Sequence, residues 1–221
     1  MLIAEAIGAN WRIESQFLAP GGIRVFGTDS DVYQLADGVM ERVATTSTPQ
    51  PVIAIAERRV ATLDSLPESG WIVVADRVSD PGNLGTILRS AEAAGACAAV
   101  LTNDTVEAFN PKVVRSSAGA IFHVPIVENV TLSDVRDAKF RLVGTSSHDQ
   151  IGTVDYTRAD LSGRVAVVVG NEARGMSLDI AVDQWVTIEH FGRGESLNVA
   201  MAATLVCFEV AKQQAANRSC E

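Results

Sequence analysis

The chain has 221 residues, 47% of them hydrophobic, and a formal net charge of −9. That length allows one large domain or an ordinary domain with a small one, and that composition supports a packed core over disorder. The acidic balance argues against holding nucleic acid through a general basic surface, although a local arginine cluster can still serve a specific site.

Cys97, Cys207 and Cys220 are scattered, as are His123, His148 and His190. Neither set has disulfide or zinc-ligand spacing, so no metal is expected. No apolar run approaches the roughly 20 residues of a membrane helix. The N-terminus lacks the basic start and long apolar stretch of a signal peptide. The expectation is a cytoplasmic protein that makes no use of a membrane.

In chain order, the first elements form a small unit. Ile23–Gly27 reads as a strand, Asp29–Ala44 as a helix opening at an Asp/Ser cap, and Pro51–Ala56 as a strand. A polar stretch, Arg58–Gly70, carries Pro67 and Gly70 and marks a boundary. The expected division is a domain over 1–58, a linker over 59–70 and a second domain over 71–221.

Strands and helices alternate after the linker. Strands are predicted over Trp71–Ala75, Ala98–Leu101, Ile121–Pro125, Arg141–Thr145, Val165–Val169 and Trp185–Ile188. Helices are predicted over Asn83–Ala94, Pro111–Ser117, Thr131–Ala138, Leu178–Val182 and Ser196–Gln214. Continuous Val/Ile/Ala strands between helices indicate an α/β fold, with a mostly parallel sheet covered on both faces.

Ligands of such sheets bind beyond the carboxyl ends of the strands. Three loops there carry Gly, Asn, Arg and Ser. The first, Asp76–Asn83, turns at Asp80-Pro81-Gly82-Asn83 into a helix with a buried stripe of Leu84, Ile87, Leu88 and Ala91. Arg89 falls opposite the stripe, as a solvated charge or as a ligand for an anion. Asn83 is most simply a helix cap.

The second loop follows the Val165–Val169 strand and contains Gly170, Asn171, Glu172 and Gly175. Gly170 allows close approach of a ligand to the backbone. Glu172 at the end of a buried strand needs a partner; the plain alternative is a Gly/Asn turn with a surface ion pair. The third loop, Ile188–Val199, leads into a helix that is apolar nearly all round, suited to a core or a subunit interface. Ser196 serves there as an N-cap or a site group. Asn198, in the first turn of a buried helix, needs partners for its amide. The loops contain no dinucleotide-binding glycine fingerprint, phosphate loop or nucleophile elbow.

Together the three loops resemble, in order and spacing, the signature motifs of the SpoU (TrmH) family of RNA 2′-O-ribose methyltransferases, within the SPOUT superfamily. DPGNLGTILRSAEAAGA is similar to the first motif, VVVGNEARGMS to the second and GRGESLNVAMAA to the third. The intervening Val113–Val127 is similar to the stretch between the first two. The resemblance covers Trp71 to the end, and three ordered motifs make it specific. A weaker likeness links the N-terminal part to the small substrate-binding domain of such enzymes.

The resemblance implies a C-terminal trefoil knot, a homodimer, S-adenosyl-L-methionine as cofactor and rRNA or tRNA as substrate. It assigns Arg89, Asn83, Glu172, Ser196 and Asn198 to catalysis. Thr145, Gly170, Asn171, Gly175, Ile188, Leu197 and Asn198 are assigned to the cofactor, and Arg115 and Arg89 to RNA. An arginine is almost always protonated, so Arg89 is expected to hold a phosphate and stabilise a developing alkoxide.

The chain departs from the family at Ile188-Glu189-His190, where Ile-Pro-Met is usual, and at Ala200, where Ser is usual. The first departure and the acidic balance motivate one alternative, a non-catalytic relative that binds RNA or cofactor. A second alternative, an α/β enzyme acting on a nucleotide or phosphorylated metabolite, is permitted by the fold but not by the motifs.

Overall fold

A computed structural model of the chain describes residues 2–146, 152–171, 182–193 and 196–218. The chain divides into two compact units, Met1–Arg59 and Val60–Glu221.

The first unit contains α1 (Leu2–Gly8), β1 (Ile13–Leu18), β2 (Asp31–Gln34), α2 (Val39–Val43) and β3 (Val52–Ala56). Its three-stranded sheet has the order β2-β1-β3, with β1 parallel to β2 and antiparallel to β3. Ile13, Leu18, Met40 and Val52 are among its buried side chains.

Two expectations fail in this unit. Ile23–Gly27 is an irregular loop, because the backbone of Val25 pairs with the side chain of Gln16 instead of with a strand. The helix expected over Asp29–Ala44 is instead β2, followed by the short α2 after Gly38, whose φ is +73°. Pairing with β1 overrides the Asp/Ser cap signal, and Val32-Tyr33 suits a strand. The unit also holds α1 and β1, which the sequence reading did not single out.

The second unit contains β4 (Ile72–Ala75), α3 (Pro81–Ala93), β5 (Ala98–Thr102), α4 (Pro111–Ser116), β6 (Ile126–Val130), α5 (Leu132–Asp137) and β7 (Arg141–Thr145). It continues with β8 (Val154–Asp155), β9 (Val165–Val169), β10 (Gln184–Thr187) and α6 (Val199–Arg218). The seven strands form one sheet in the order β6-β5-β4-β9-β7-β10-β8, with parallel pairings throughout.

Alternation along the strands splits the core in two. Val73, Ala75, Leu101, Val167 and Val169 pack on one face with Leu84, Ile87 and Leu88 of α3 and Ala203 and Val206 of α6. Ile72, Val74, Val100, Ala166 and Val168 pack on the other with Leu132 and Val135 of α5. Both faces are covered, and this explains why VAVVV of β9 is apolar at every position.

Residues 60–70, expected as a linker, belong to this unit. The Ala61 N–H donates to the Ile126 carbonyl at 2.7 Å, and Leu66 is buried. The strand expected over Ile121–Pro125 is displaced. Gly119 (φ +100°) starts a 3-10 turn at Ala120–Phe122, and the strand begins only after Pro125. Proline has no N–H for a ladder, but its carbonyl accepts from Ala99 N–H at 2.9 Å. Up to residue 181, the helix expected over Leu178–Val182 lies outside the described residues.

Candidate active site at the strand ends

Four neighbouring strands, β4, β9, β7 and β10, end on the same side of the sheet. Asp76-Arg77 follows β4, Gly170-Asn171 follows β9, Ser146 follows Thr145 of β7, and Ile188 follows β10. Parallel register sets Thr145 beside Val186 and Gly144 beside Val168. The Thr145 hydroxyl donates to the Val168 carbonyl at 3.2 Å, and Ser146 N–H donates to the Val186 carbonyl at 3.0 Å. The expected cofactor positions Thr145, Gly170, Asn171 and Ile188 therefore lie on adjacent strand ends.

The α3 helix opens directly over β4. Asp80 is its N-cap: the carboxylate accepts from Asn83 N–H at 2.8 Å, and Pro81 occupies the first turn, where no intrahelical donor is required. The cap bond from the Asn83 amide holds the Asp80 carboxyl below its ordinary value of 3.8; the Lys112 ammonium, 3.4 Å away, adds to the effect, while partial burial opposes it.

Because Asp80 takes the cap, the side chain of Asn83 is available for another partner. Its Oδ1 accepts from Asn198 Nδ2 at 2.9 Å, across 115 residues of sequence. Asn198 in turn caps α6, its Oδ1 accepting from Ala200 N–H at 2.9 Å and Met201 N–H at 3.3 Å. Two expectations change here. The N-cap of the last helix is Asn198 and not Ser196, and Asn198 is exposed, so its partners satisfy a cap and not a buried amide. Ser196 and Leu197 are also exposed. A second polar link, between Ser90 Oγ and Thr204 Oγ1 at 2.6 Å, ties the same two helices one layer deeper.

Arg89 stands on the exposed ridge of α3 with Thr86 and Ala93. Helical spacing puts that ridge between two contact faces. Gly85 packs against Ser116 of α4 on one side, and Asn83 and Ser90 meet α6 on the other. Among the described residues, Arg89 has no hydrogen-bond or ion-pair partner. An exposed guanidinium on a ridge between two helix contacts is suited to an external anion. Arg115 is exposed in the last turn of α4.

Glu172 and Gly175 lie outside the described residues. The start of their loop is described: Asn171 Nδ2 donates to the Arg77 carbonyl at 2.9 Å. That carbonyl is set by an arrangement the sequence reading passed over. Arg77 adopts φ +56° and pairs with the buried Asp76 carboxylate at 3.2 Å. Asp76 also accepts from the Thr102 hydroxyl at 2.9 Å, and Arg77 N–H donates to the same hydroxyl oxygen at 3.1 Å. The available signal was a carboxylate immediately after four buried apolar residues, a position that demands partners.

Two of the departures from the family motif lie at the surface. Glu189 and His190 are both exposed, so neither places a charge in the core. Asp155 at the sheet edge accepts from the Glu189 backbone N–H; its carboxyl is held low chiefly by the Thr157 hydroxyl. Cys207 is fully buried on α6, and burial pushes its thiol up to about 12, which suits packing and not nucleophilic chemistry.

The SpoU rRNA Methylase family model matches residues 70–208. The chain is 34% identical over 188 residues to the 23S rRNA (guanosine(2553)-2′-O)-methyltransferase RlmP of Bacillus subtilis, covering 83% of this chain and 73% of that one. It is 32% identical over 196 residues to the 23S rRNA (uridine(2479)-2′-O)-methyltransferase of Streptomyces viridochromogenes, covering 83% and 67%. Among solved structures, it resembles an AdoMet-bound rRNA methyltransferase from Sinorhizobium meliloti with a TM-score of 0.82 and 29% identity, over 96% of this chain and 84% of that one.

Proposed function

Since the chain belongs to the SpoU rRNA methylase family, we propose that it methylates a ribose 2′-hydroxyl of rRNA or tRNA, with S-adenosylmethionine as cofactor. The observation that carries this reading is the Asn83–Asn198 hydrogen bond. It joins the first and third motifs directly beside the ridge that presents Arg89.

In this reading the ends of β7, β9 and β10 hold the cofactor. Backbone groups at Thr145, Gly170, Ile188 and Leu197 meet its adenine and methionine parts, Asn171 anchors the loop that carries Gly170, and Gly175 belongs to the same cofactor set. Parallel strand ends fit such a ligand, because their outermost backbone groups have no further strand to pair with. S-adenosylmethionine supplies the methyl group.

A ribose hydroxyl is a poor nucleophile and must lose its proton as it attacks. Arg89 remains protonated at neutral pH, so it holds a substrate phosphate and stabilises the alkoxide as negative charge develops. Asn83 and Asn198 form the rigid edge that orients the ribose, and Ser196 stands next to them. Glu172 orients Arg89 or the ribose. Arg115 binds RNA phosphate, supplied to this site by a second copy of the chain.

The same proposal includes the knot, the homodimer and a substrate role for the first unit. For the knot, the support is the strand order: after β9 the chain passes beyond β7 to add β10, and α6 then returns to pack on α3 and β9. A crystal structure that traced residues 172–181 without threading would remove it. For the dimer, Met201, Leu205 and Phe208 make an exposed apolar stripe on α6. Among the described residues no helix is long and apolar enough to cross a membrane, in keeping with work on RNA in the cytoplasm.

The test is Arg89→Ala, assayed by transfer of labelled methyl from S-adenosylmethionine into unmodified rRNA and tRNA. We expect transfer to fall by at least about 100-fold, the scale for loss of one transition-state-stabilising donor. S-adenosylhomocysteine binding by calorimetry is expected to be unchanged. Near-normal transfer would sink the assignment. Cofactor binding by the parent protein without transfer into any RNA would establish the non-catalytic alternative.

A further inference from the structure

The loop between β1 and β2 exposes what a small unit normally covers. Ile23 is 73% and Phe26 66% exposed, and Arg24 lies over the Phe26 ring with its guanidinium carbon 4.6 Å from the centroid. A flexible loop would cost little to leave so, but this loop is held in shape. Gln16, on β1 and only 1% exposed, makes three hydrogen bonds into it. Its Oε1 accepts from Val25 N–H at 2.8 Å, and its Nε2 donates to the Val25 carbonyl and to Ser30 Oγ, each at 2.9 Å. A buried amide satisfied in this way fixes the backbone on either side of Val25.

Both ends of the loop are glycines used for their lack of a side chain. A Cβ on Gly22 would lie 2.5 Å from the Pro51 carbonyl oxygen, and Gly27 takes φ +100°. The result is a rigid tip whose exposed atoms are an arginine stacked on an aromatic ring, with an isoleucine beside it. Rigid presentation lowers the entropic cost of binding, and this is a reason to clamp an otherwise unfavourable surface.

The charge pattern of the unit selects the ligand. Residues 1–59 carry five arginines and no lysine, against seven acidic side chains. Net charge therefore cannot attract a polyanion, but the cations present are the kind that stack. Arg59 lies over Trp11 at 5.6 Å, and Arg12 and Arg58 are this pair's neighbours in sequence, Arg12 paired with Glu57 at 3.8 Å. Paired arginine–aromatic surfaces bind unpaired bases through their π-faces, while the guanidinium meets the adjoining phosphate.

We propose that the Ile23–Phe26 tip is a docking site for an unpaired nucleotide of the RNA substrate, its base stacked on Phe26 and its phosphate held by Arg24. This rests on the RNA-methyltransferase reading and narrows the substrate role of the first unit to one tip and one kind of ligand. Because the contact is stacking more than diffuse charge, binding at this tip depends only weakly on salt.

The test uses the full chain with a fluorescein-labelled unstructured RNA and a 23S rRNA transcript, read by anisotropy and filter binding. Phe26→Ala and Arg24→Ala are each expected to weaken binding about ten-fold, the scale of losing one stacked base. Arg24→Lys is expected to recover part of it, since an ammonium still meets the phosphate but gives up the planar stack on Phe26. Unchanged affinity in both alanine variants overturns the proposal, and so does absence of RNA binding by the parent chain. A shift in oligomeric state of the variants in sedimentation also overturns it, by making the tip a protein contact. S-adenosylhomocysteine calorimetry on the same preparations is a separate readout: absence of binding there strikes the methyltransferase reading, not the tip.

Discussion

Asp80 and Asn83 show how one turn divides its work. The Asp80 carboxylate satisfies the first amides of α3, and this frees the Asn83 side chain to reach Asn198. Replacing Asp80 with alanine is expected to cost about 1 kcal/mol at neutral pH, as for other lost N-caps. The folded carboxyl is held below its unfolded value of 3.8. Its contribution is therefore complete above that value and disappears as pH falls through the folded one. Denaturant melts of Asp80→Ala and the parent should differ at pH 7, draw together as pH falls below 3.8 and converge once it is below the folded value. A gap that persists undiminished in acid would show that the cap is not the source.

At the scale of elements, the separation of α3 from α4 is set by Gly85. A Cβ there would fall 1.9 Å from Ser116 Oγ, 2.7 Å from Ser116 Cβ and 2.8 Å from Ser117 backbone nitrogen. Alanine is normally the better helix former by about 1 kcal/mol, yet Gly85→Ala is expected to destabilise the chain by roughly 1–3 kcal/mol through overpacking. Adding Ser116→Ala removes only the hydroxyl, so it should restore part of the loss. Thermal melts of the single and double variants check this. The element matters to function because it fixes one wall of the ridge that carries Arg89.

At the scale of the whole molecule, α6 divides its surface between two duties. Ala203, Val206, Cys207 and Val210 are buried in the core, while Met201, Leu205 and Phe208 remain 41–62% exposed at i, i+4, i+7 spacing. The Asn198 cap anchors the same helix to the site. Covering this stripe with a second copy would contribute on the order of 1 kcal/mol per side chain, about half the value for full burial. The homodimer proposed above predicts that Phe208→Glu yields a monomer in sedimentation velocity where the parent is a dimer, with the far-ultraviolet circular dichroism retained. An unchanged sedimentation coefficient would remove this stripe as the proposed contact.

Much of this protein is legible in its residues taken alone. The parallel sheet could be read from runs such as VAVVV, because burial on both faces removes every polar position from a strand. The stripe of Leu84, Ile87, Leu88 and Ala91 gave α3 and its inward face. The three motifs gave the family, since their order and spacing are properties of sequence. What only tertiary structure decided were the matters settled by distant partners. β2 is a strand because β1 lies beside it, and Ile23–Gly27 is a clamped loop because Gln16 takes the place of a neighbouring strand. Residues 60–70 pack as part of the second unit because Ile126 accepts their hydrogen bond. Asn198 became a cap joined to Asn83 across 115 residues. Local pattern records which surfaces must leave water; the pairing of polar groups far apart in the chain depends on where the folded backbone brings them.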